Sequence, residues 1–129
     1  SQSISRSIKK EKKLYYFDWT YISDPAARFE NYIAVELKAL IEMWNDLGHN
    51  FDINYLRTKE GKESDFLLIK DNLPWLIIEV KMKKQKVEHH HYHYAQILGN
   101  IPVLQIVMEN NIAEKYENGY QVSASRFFA

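Results

Sequence analysis

Cysteine is absent from this sequence of 129 residues, and only four glycines and three prolines interrupt it. Without cysteine the chain can form no disulfide, no thiolate metal site and no cysteine nucleophile. No run of about eighteen apolar residues is present, and no signal-peptide pattern opens the chain. These absences are typical of a soluble, cytoplasmic protein.

A net charge of either sign is also lacking, because 17 lysines and arginines balance 17 aspartates and glutamates. The chain therefore has no global field that attracts a polyanion, and contact with nucleic acid must rest on local basic patches. Two such patches occur, at residues 6–13 and 81–86. The alternative interpretation is that these side chains are ordinary solvated lysines and an arginine in a linker and a loop.

Apolar residues make up 46% of the chain, which suffices for the core of one domain. Residues 1–13 are polar and basic, and we interpret them as a linker from a longer parent protein. Residues 14–129 are expected to form one α/β domain.

The region from residue 25 to residue 47 has apolar residues at three- and four-residue spacing, which predicts an amphipathic helix. Ser23 or Asp24 can cap its first turn, Pro25 suits the first helical position, and Gly48 can close the end. The buried stripe is expected to comprise Phe29, Ile33, Leu37, Leu40, Trp44 and Leu47.

The remaining pattern predicts strands and one further helix. Strands are expected at 14–19, 51–58, 64–70, 75–82, 103–108 and 119–125, and a second helix at 88–98. This order, β-α-β-β-β-α-β-β, predicts an α/β fold with a mixed central sheet flanked by helices. The strand at 103–108 should run parallel to the strand at 75–82, because a helical crossover joins them.

Two acidic residues on neighbouring strands are candidates for a site. A turn near Asn72 pairs positions whose numbers sum to about 144, so Asp65 is expected opposite Glu79. Alternation along a strand sets Lys81 on the same face as Glu79. Two facing carboxylates in a buried hairpin repel each other unless a cation lies between them, and Mg²⁺ prefers oxygen ligands. The alternative is a salt bridge between Glu79 and Lys81 or Lys83.

Such a group suits metal-assisted hydrolysis of phosphodiester bonds. A divalent ion lowers the pKa of a bound water, and a lysine beside it can position that water or balance the developing charge. The first helix offers a further acid, since Glu30 and Glu36 lie at the two margins of its buried stripe.

Four histidines cluster at the start of the predicted second helix. His89 and His93 are one turn apart, the spacing at which two imidazoles can share a zinc or nickel ion, although no third ligand is evident. The alternative for His89, His90, His91 and His93 is a solvated face that responds to pH.

Five segments carry a resemblance to a known family: KLYYFDW at 13–19, DPAARFEN at 24–31, YLRT at 55–58, ESDFLL at 63–68 and IEVK at 78–81. Together they resemble the C-terminal domain of bacterial and archaeal AAA-type ATPases, which is identified as a member of the PD-(D/E)xK, restriction-endonuclease-like superfamily. The resemblance implies a restriction-endonuclease-like core, a nuclease that uses Mg²⁺ or Mn²⁺ on DNA, and an ATPase domain in the same parent chain.

The resemblance also implies roles for four residues. Glu30 becomes the acid contributed by the helix, Asp65 the central metal ligand, Glu79 the second ligand and Lys81 the catalytic lysine. Ser64 stands where a proline usually precedes the central acid.

Two alternatives stay open. Gln105, a lone polar residue in an apolar strand, resembles a recurrent glutamine of these domains; it either approaches the site or is a hydrogen-bonded core residue. The alternative function is a catalytically silent domain that binds nucleic acid or regulates the ATPase.

Overall fold

A computed structural model describes the backbone of residues 8–11, 24–58 and 63–129, and the side chains of residues 24–54 and 66–129. Ten elements follow one another in this part of the chain. They are β1 (Ile8–Glu11), α1 (Pro25–Asp46), β2 (Phe51–Thr58), β3 (Glu63–Lys70), β4 (Leu73–Lys81), α2 (His89–Ile97), β5 (Val103–Val107), β6 (Ala113–Tyr116), β7 (Gly119–Ser123) and α3 (Ala124–Phe127).

The predicted α/β class with a mixed sheet flanked by helices is confirmed, but the predicted order of elements does not match the structure. The strands form one sheet in the order β1-β2-β3-β4-β5-β7-β6. The sequence pattern missed β6 and α3, which have only four residues each. In β6 the side chains alternate between exposed and half-buried, so it carries no apolar run to signal a strand. The strand predicted at 14–19 lies outside the described residues, whereas β1 falls within the segment interpreted as a linker.

Helix α1 begins and ends where the sequence predicts. The side chain of Asp24 accepts a hydrogen bond from the amide of Ala26 at 3.0 Å, and Pro25 occupies the first turn. Gly48 follows the helix with a φ of +103°, a conformation that suits glycine. Leu47 was expected in the buried stripe, but it is 71% exposed because the helix has already ended there.

The sheet has an apolar core on each face. Helix α1 covers one face, where its residues Phe29, Ile33 and Leu37 pack with a group of sheet residues. Those sheet residues include Phe66, Leu68, Ile78, Leu104 and Ile106. Helix α2 belongs to the second core, which contains Tyr94 and Ala95 together with Leu67, Ile77 and Val103. Both faces of the central strands are therefore buried, as their sequences predict.

The hairpin of β3 and β4 has the predicted register. Phe66 pairs with Ile78 and Leu68 with Leu76, and both pairs sum to 144. The turn residues Asp71 and Asn72 have positive φ values of 51° and 67°, which aspartate and asparagine tolerate well. The strand β5 runs parallel to β4, which confirms the crossover prediction.

Two local contacts fix how neighbouring elements meet. The side chain of Asn45 accepts a hydrogen bond from the amide of Phe51 at 2.7 Å and donates one to its carbonyl at 3.0 Å. This pair joins the end of α1 to the start of β2. At the other side of the sheet, Gly119 in β7 lies directly against the backbone carbonyl of Val103 in β5, leaving no room for a Cβ atom.

Candidate functional site

Glu79 is a buried acid in the middle of the sheet. It follows the apolar pair Ile77 and Ile78 in β4, and it is only 4% exposed. Alternation along the strand sets its side chain on the face of Ile77, which is the face covered by α2. A buried carboxylate needs compensating partners, because moving an isolated charge out of water is costly.

Polar residues continue from Glu79 across the next two strands. Glu79 pairs with Gln105 in β5, and Gln105 pairs with Gln121 in β7. Both glutamines are fully buried. Partners in register share one face of a sheet, so these three side chains form a polar row beneath α2.

The amides of this row have a fixed orientation. The backbone amide of Gln85 donates to Oε1 of Gln121 at 3.1 Å, which identifies that atom as the oxygen. Gln105 Nε2 donates to the same oxygen and to the carbonyl of Gln85, both at 2.8 Å. Gln121 Nε2 donates to the hydroxyl of Tyr116 at 2.8 Å. Gln105 is thus a hydrogen-bonded core residue, and it also lies next to Glu79. Its Oε1 is buried and accepts no hydrogen bond from the described part of the chain.

His91, in α2, lies in close contact with Glu79. Its Nε2 lies 2.9 Å from Glu79 Oε2, and its side chain is 1% exposed. The contact is short but not an aligned hydrogen bond, and no other described group donates to Glu79 Oε2. His91 was not predicted as a site residue, because the four histidines were interpreted together as a metal-binding pair or a solvated face. Helical spacing sets His91, Tyr94 and Ala95 on one side of α2, and the structure buries all three.

Lys81 joins Glu79 to a second acid. Its Nζ lies 3.4 Å from Glu79 Oε1 and 3.0 Å from Glu88 Oε1. Partial burial lowers the pKa of Lys81, but the hydrogen bond and charge of Glu88 and the charge of Glu79 outweigh burial, so its pKa is raised above 10.5. The hydrogen bond from Lys81 lowers the pKa of Glu88 below 4.5, against the opposing effect of partial burial. Lys81 is therefore held as a cation between two carboxylates.

An open cavity of about 340 Å³ lies beside this cluster. It is lined by residues from the start of α1, among them Asp24 and Glu30, and by Glu79 and Lys81 from β4. Glu30, the helix acid implied by the resemblance, thus shares a cavity with Glu79 and Lys81. Glu36 is not among its lining residues. An adjoining cavity of about 430 Å³ continues past Lys81 towards Lys83.

Asp65 belongs to β3, one residue before Phe66, and its side chain lies outside the described residues. The expectation that its carboxylate faces Glu79 therefore stays a prediction, which the register of Phe66 with Ile78 supports. Within the described side chains, no three histidines or acids are grouped so that they could hold a metal ion. His89 and His93, the pair with metal-binding spacing, are both exposed.

Comparison with models of known protein families, with curated proteins and with solved structures gave no match. Among the described helices, none has the length and apolar character needed to cross a membrane. The site offers a buried carboxylate, Glu79, and a fixed lysine cation, Lys81, beside an open cavity that Glu30 also lines. The buried imidazole of His91 lies against the same carboxylate.

Proposed function

We propose that this chain is a nuclease-like domain with a restriction-endonuclease-like core, which hydrolyses phosphodiester bonds in DNA with Mg²⁺ or Mn²⁺. In this proposal it is the C-terminal part of a larger ATPase. The mixed sheet with α1 on one face and α2 on the other supports the fold.

The observation that carries the proposal is the position of Glu79. Its carboxylate is buried, its Oε2 receives no aligned hydrogen bond from the described residues, and it borders a cavity shared with Glu30 and Lys81. A buried acceptor atom without a donor suits a cation. Carboxylates that leave much of the shell to water and phosphate are ordinary Mg²⁺ ligands.

The residues have separate roles in this proposal. Asp65, Glu79 and Glu30 hold the ion, which when bound lowers the pKa of a water and polarises the phosphodiester. The register of Phe66 with Ile78 supports the role of Asp65, because the next pair in the same register is Asp65 with Glu79. Lys81, held at 3.4 Å from Glu79, orients the attacking water or balances the charge that develops on the phosphate.

The exposed lysines that follow β4 are the candidate contacts for DNA phosphates. Lys83, Lys84 and Lys86 are exposed, and Lys83 lines the cavity next to the site. Lys84 forms an ion pair with Glu114, which leaves Lys83 and Lys86 as the better phosphate contacts. A neutral chain with so few basic contacts should bind DNA weakly, and each phosphate contact that it does make adds to the salt dependence of binding.

The second candidate is a catalytically silent domain that binds nucleic acid or regulates the ATPase. One observation favours it: His91 and Lys81 already place two basic groups against Glu79. A carboxylate balanced within the protein can persist without a metal ion.

The experiment that separates the two candidates combines calorimetry with DNA cleavage. The chain is titrated with Mn²⁺ and Mg²⁺ and is then incubated with single- and double-stranded DNA. We expect weak metal binding and slow cleavage in the wild type, and loss of both in Asp65→Asn. Lys81→Ala should keep metal binding and lower the cleavage rate on the order of a hundredfold or more. Glu36→Gln, outside the cavity, is the matched control and should change neither.

Unchanged metal affinity in Asp65→Asn would refute the site. Metal binding without cleavage of any DNA, also in the parent ATPase, would favour the regulatory candidate.

A further inference from the structure

His91 occupies a fixed position above the polar row. Its ring is 1% exposed and lies on the buried side of α2, with Tyr94 and Ala95 on the same side. The ring of His90 packs against it with centroids 4.0 Å apart. The imidazole therefore has little freedom to swing away from Glu79.

The spacing of the two side chains is the first observation that points to a ligand. Nε2 and Oε2 are 2.9 Å apart, without the alignment of a hydrogen bond. Two ligand atoms at right angles around an octahedral ion, each about 2.1 Å from it, are roughly 3 Å apart. The observed separation is close to that of two adjacent ligand atoms on one ion; a hydrogen bond has the same length, but its alignment is absent here.

Gln105 gives a second, independent observation. Its Nε2 is fixed towards Gln121 and Gln85, which leaves Oε1 as a buried acceptor with no donor from the described residues. Gln105 pairs with Glu79 in the adjacent strand. Glu79 Oε2 and Gln105 Oε1 are thus two buried oxygen atoms, on paired residues of β4 and β5, that lack aligned donors from the described residues. Buried acceptors of this kind are suited to a cation.

We propose that His91 Nε2 is a ligand of the divalent ion held by Glu79, and that this nitrogen makes the site prefer Mn²⁺ to Mg²⁺. The inference rests on the metal site of the proposed function and adds a ligand to it. Mg²⁺ is bound almost entirely by oxygen atoms, whereas imidazole is a ligand for transition metals. A site of carboxylates plus one imidazole therefore discriminates between the two ions. Lys81 stays outside the ligand set, since its amine is a cation.

The test is pulsed electron paramagnetic resonance of Mn²⁺ bound to the whole chain, together with calorimetry of Mn²⁺ and Mg²⁺. A histidine ligand gives a nitrogen modulation of the Mn²⁺ spin echo, which changes when histidine carries ¹⁵N. The two exposed histidines of α2 are removed in the double variant His89→Gln/His93→Gln, which is the matched control. We expect the wild type and this variant to show the same nitrogen modulation.

His91→Gln should lose the modulation and bind Mn²⁺ on the order of ten- to a hundredfold more weakly, whereas Mg²⁺ affinity should change far less. If this variant fails to fold because His91 is buried, a chain with His49, His89, His90 and His93 all replaced by glutamine decides the question, since His91 is then its remaining histidine. Mn²⁺ bound without nitrogen modulation, or modulation that disappears with His89 and His93, overturns the role of His91 and leaves the carboxylate site standing. No Mn²⁺ binding in the wild type overturns the proposed function and this inference together.

Discussion

Nε2 of His91 lies 2.9 Å from Oε2 of Glu79, and the two side chains are only 1% and 6% exposed. Helix α2 is therefore joined to the central strand β4 by a buried polar contact as well as by its apolar face. A contact of this kind is sensitive to the loss of one partner, because the other stays buried without compensation.

Replacing His91 by leucine should destabilise the fold in the absence of metal. Among the described side chains Glu79 then keeps Lys81 as its basic neighbour, and we expect a loss of about 2 kcal/mol or more in the free energy of unfolding. Urea denaturation followed by tryptophan fluorescence measures this change. His93→Gln on the exposed side of α2 is the control and should stay within about 0.5 kcal/mol of the wild type. Equal stability of the two variants would show that the contact with Glu79 contributes nothing.

The ion pair of Lys81 and Glu88 should make a small, pH-dependent contribution to the free energy of unfolding. The folded-state pKa of Glu88 lies below its ordinary value of 4.5, so the unfolded chain binds the proton more readily. The contribution is therefore complete above pH 4.5 and disappears as pH falls through the folded-state pKa. Glu88 is 47% exposed, and solvent screening limits the contribution to less than about 1 kcal/mol.

Urea midpoints at about pH 6 and about pH 3.5 test this prediction. Glu88→Gln should differ from the wild type at the higher pH and approach it at the lower pH. Glu42→Gln, on the exposed face of α1, is the control. A difference between the wild type and Glu88→Gln that does not shrink on acidification would contradict the assignment.

Asn45→Asp should weaken the junction between α1 and β2. The substitution keeps the shape of the side chain but replaces the amide that donates to the carbonyl of Phe51 with a carboxylate oxygen. Two oxygen atoms then face each other about 3 Å apart, and we expect a loss of about 1 to 2 kcal/mol at neutral pH. The neighbouring Asp46→Asn makes the reverse chemical change at an exposed position, where it should have little effect. Thermal unfolding of both variants gives the comparison.

Gly119→Ala should be among the most damaging single substitutions in the chain. The added methyl group would overlap the carbonyl oxygen of Val103, so β7 could keep its place beside β5 only if the backbone moved. We expect the free energy of unfolding to fall by about 3 kcal/mol or more, which is at the upper end of what most single substitutions cost. Gly48→Ala meets no neighbouring atom but has a positive φ, and it should cost only about 1 kcal/mol. A well-folded Gly119→Ala variant with an unchanged melting temperature would contradict the close packing.

The sequence predicted the elements that are long or strongly patterned. Helix α1 was predictable because Asp24, Pro25 and Gly48 mark its ends, and the β3–β4 register because Asp71 and Asn72 define the turn. β6 was not predictable, since four alternating residues carry little local signal. The position of Glu79 and Lys81 on one face also followed from alternation, and their 3.4 Å contact agrees with it.

His91 and Gln121 could not be assigned to the site from sequence alone. Their importance depends on which strands become neighbours, and that arrangement is set by tertiary contacts between β4, β5, β7 and α2. Helical spacing distinguishes His91 from His93, but it does not say which strand residue each one meets. The pairing of Gln121 with Gln105 similarly requires that β7 lie beside β5, although β6 precedes it in the chain.

The row of Glu79, Gln105 and Gln121 also has a consequence for folding. Its members lie on neighbouring strands at matching positions, and each is flanked along its strand by aliphatic or aromatic residues. If β5 slid by one residue during assembly, Gln105 would turn into the aliphatic layer beneath α1, and its amide would lose every partner. Apolar strands such as VLQIV can slide past one another with little change in burial, but a polar side chain cannot. The row therefore favours the native strand register, because a misregistered sheet buries polar side chains without partners and is less stable.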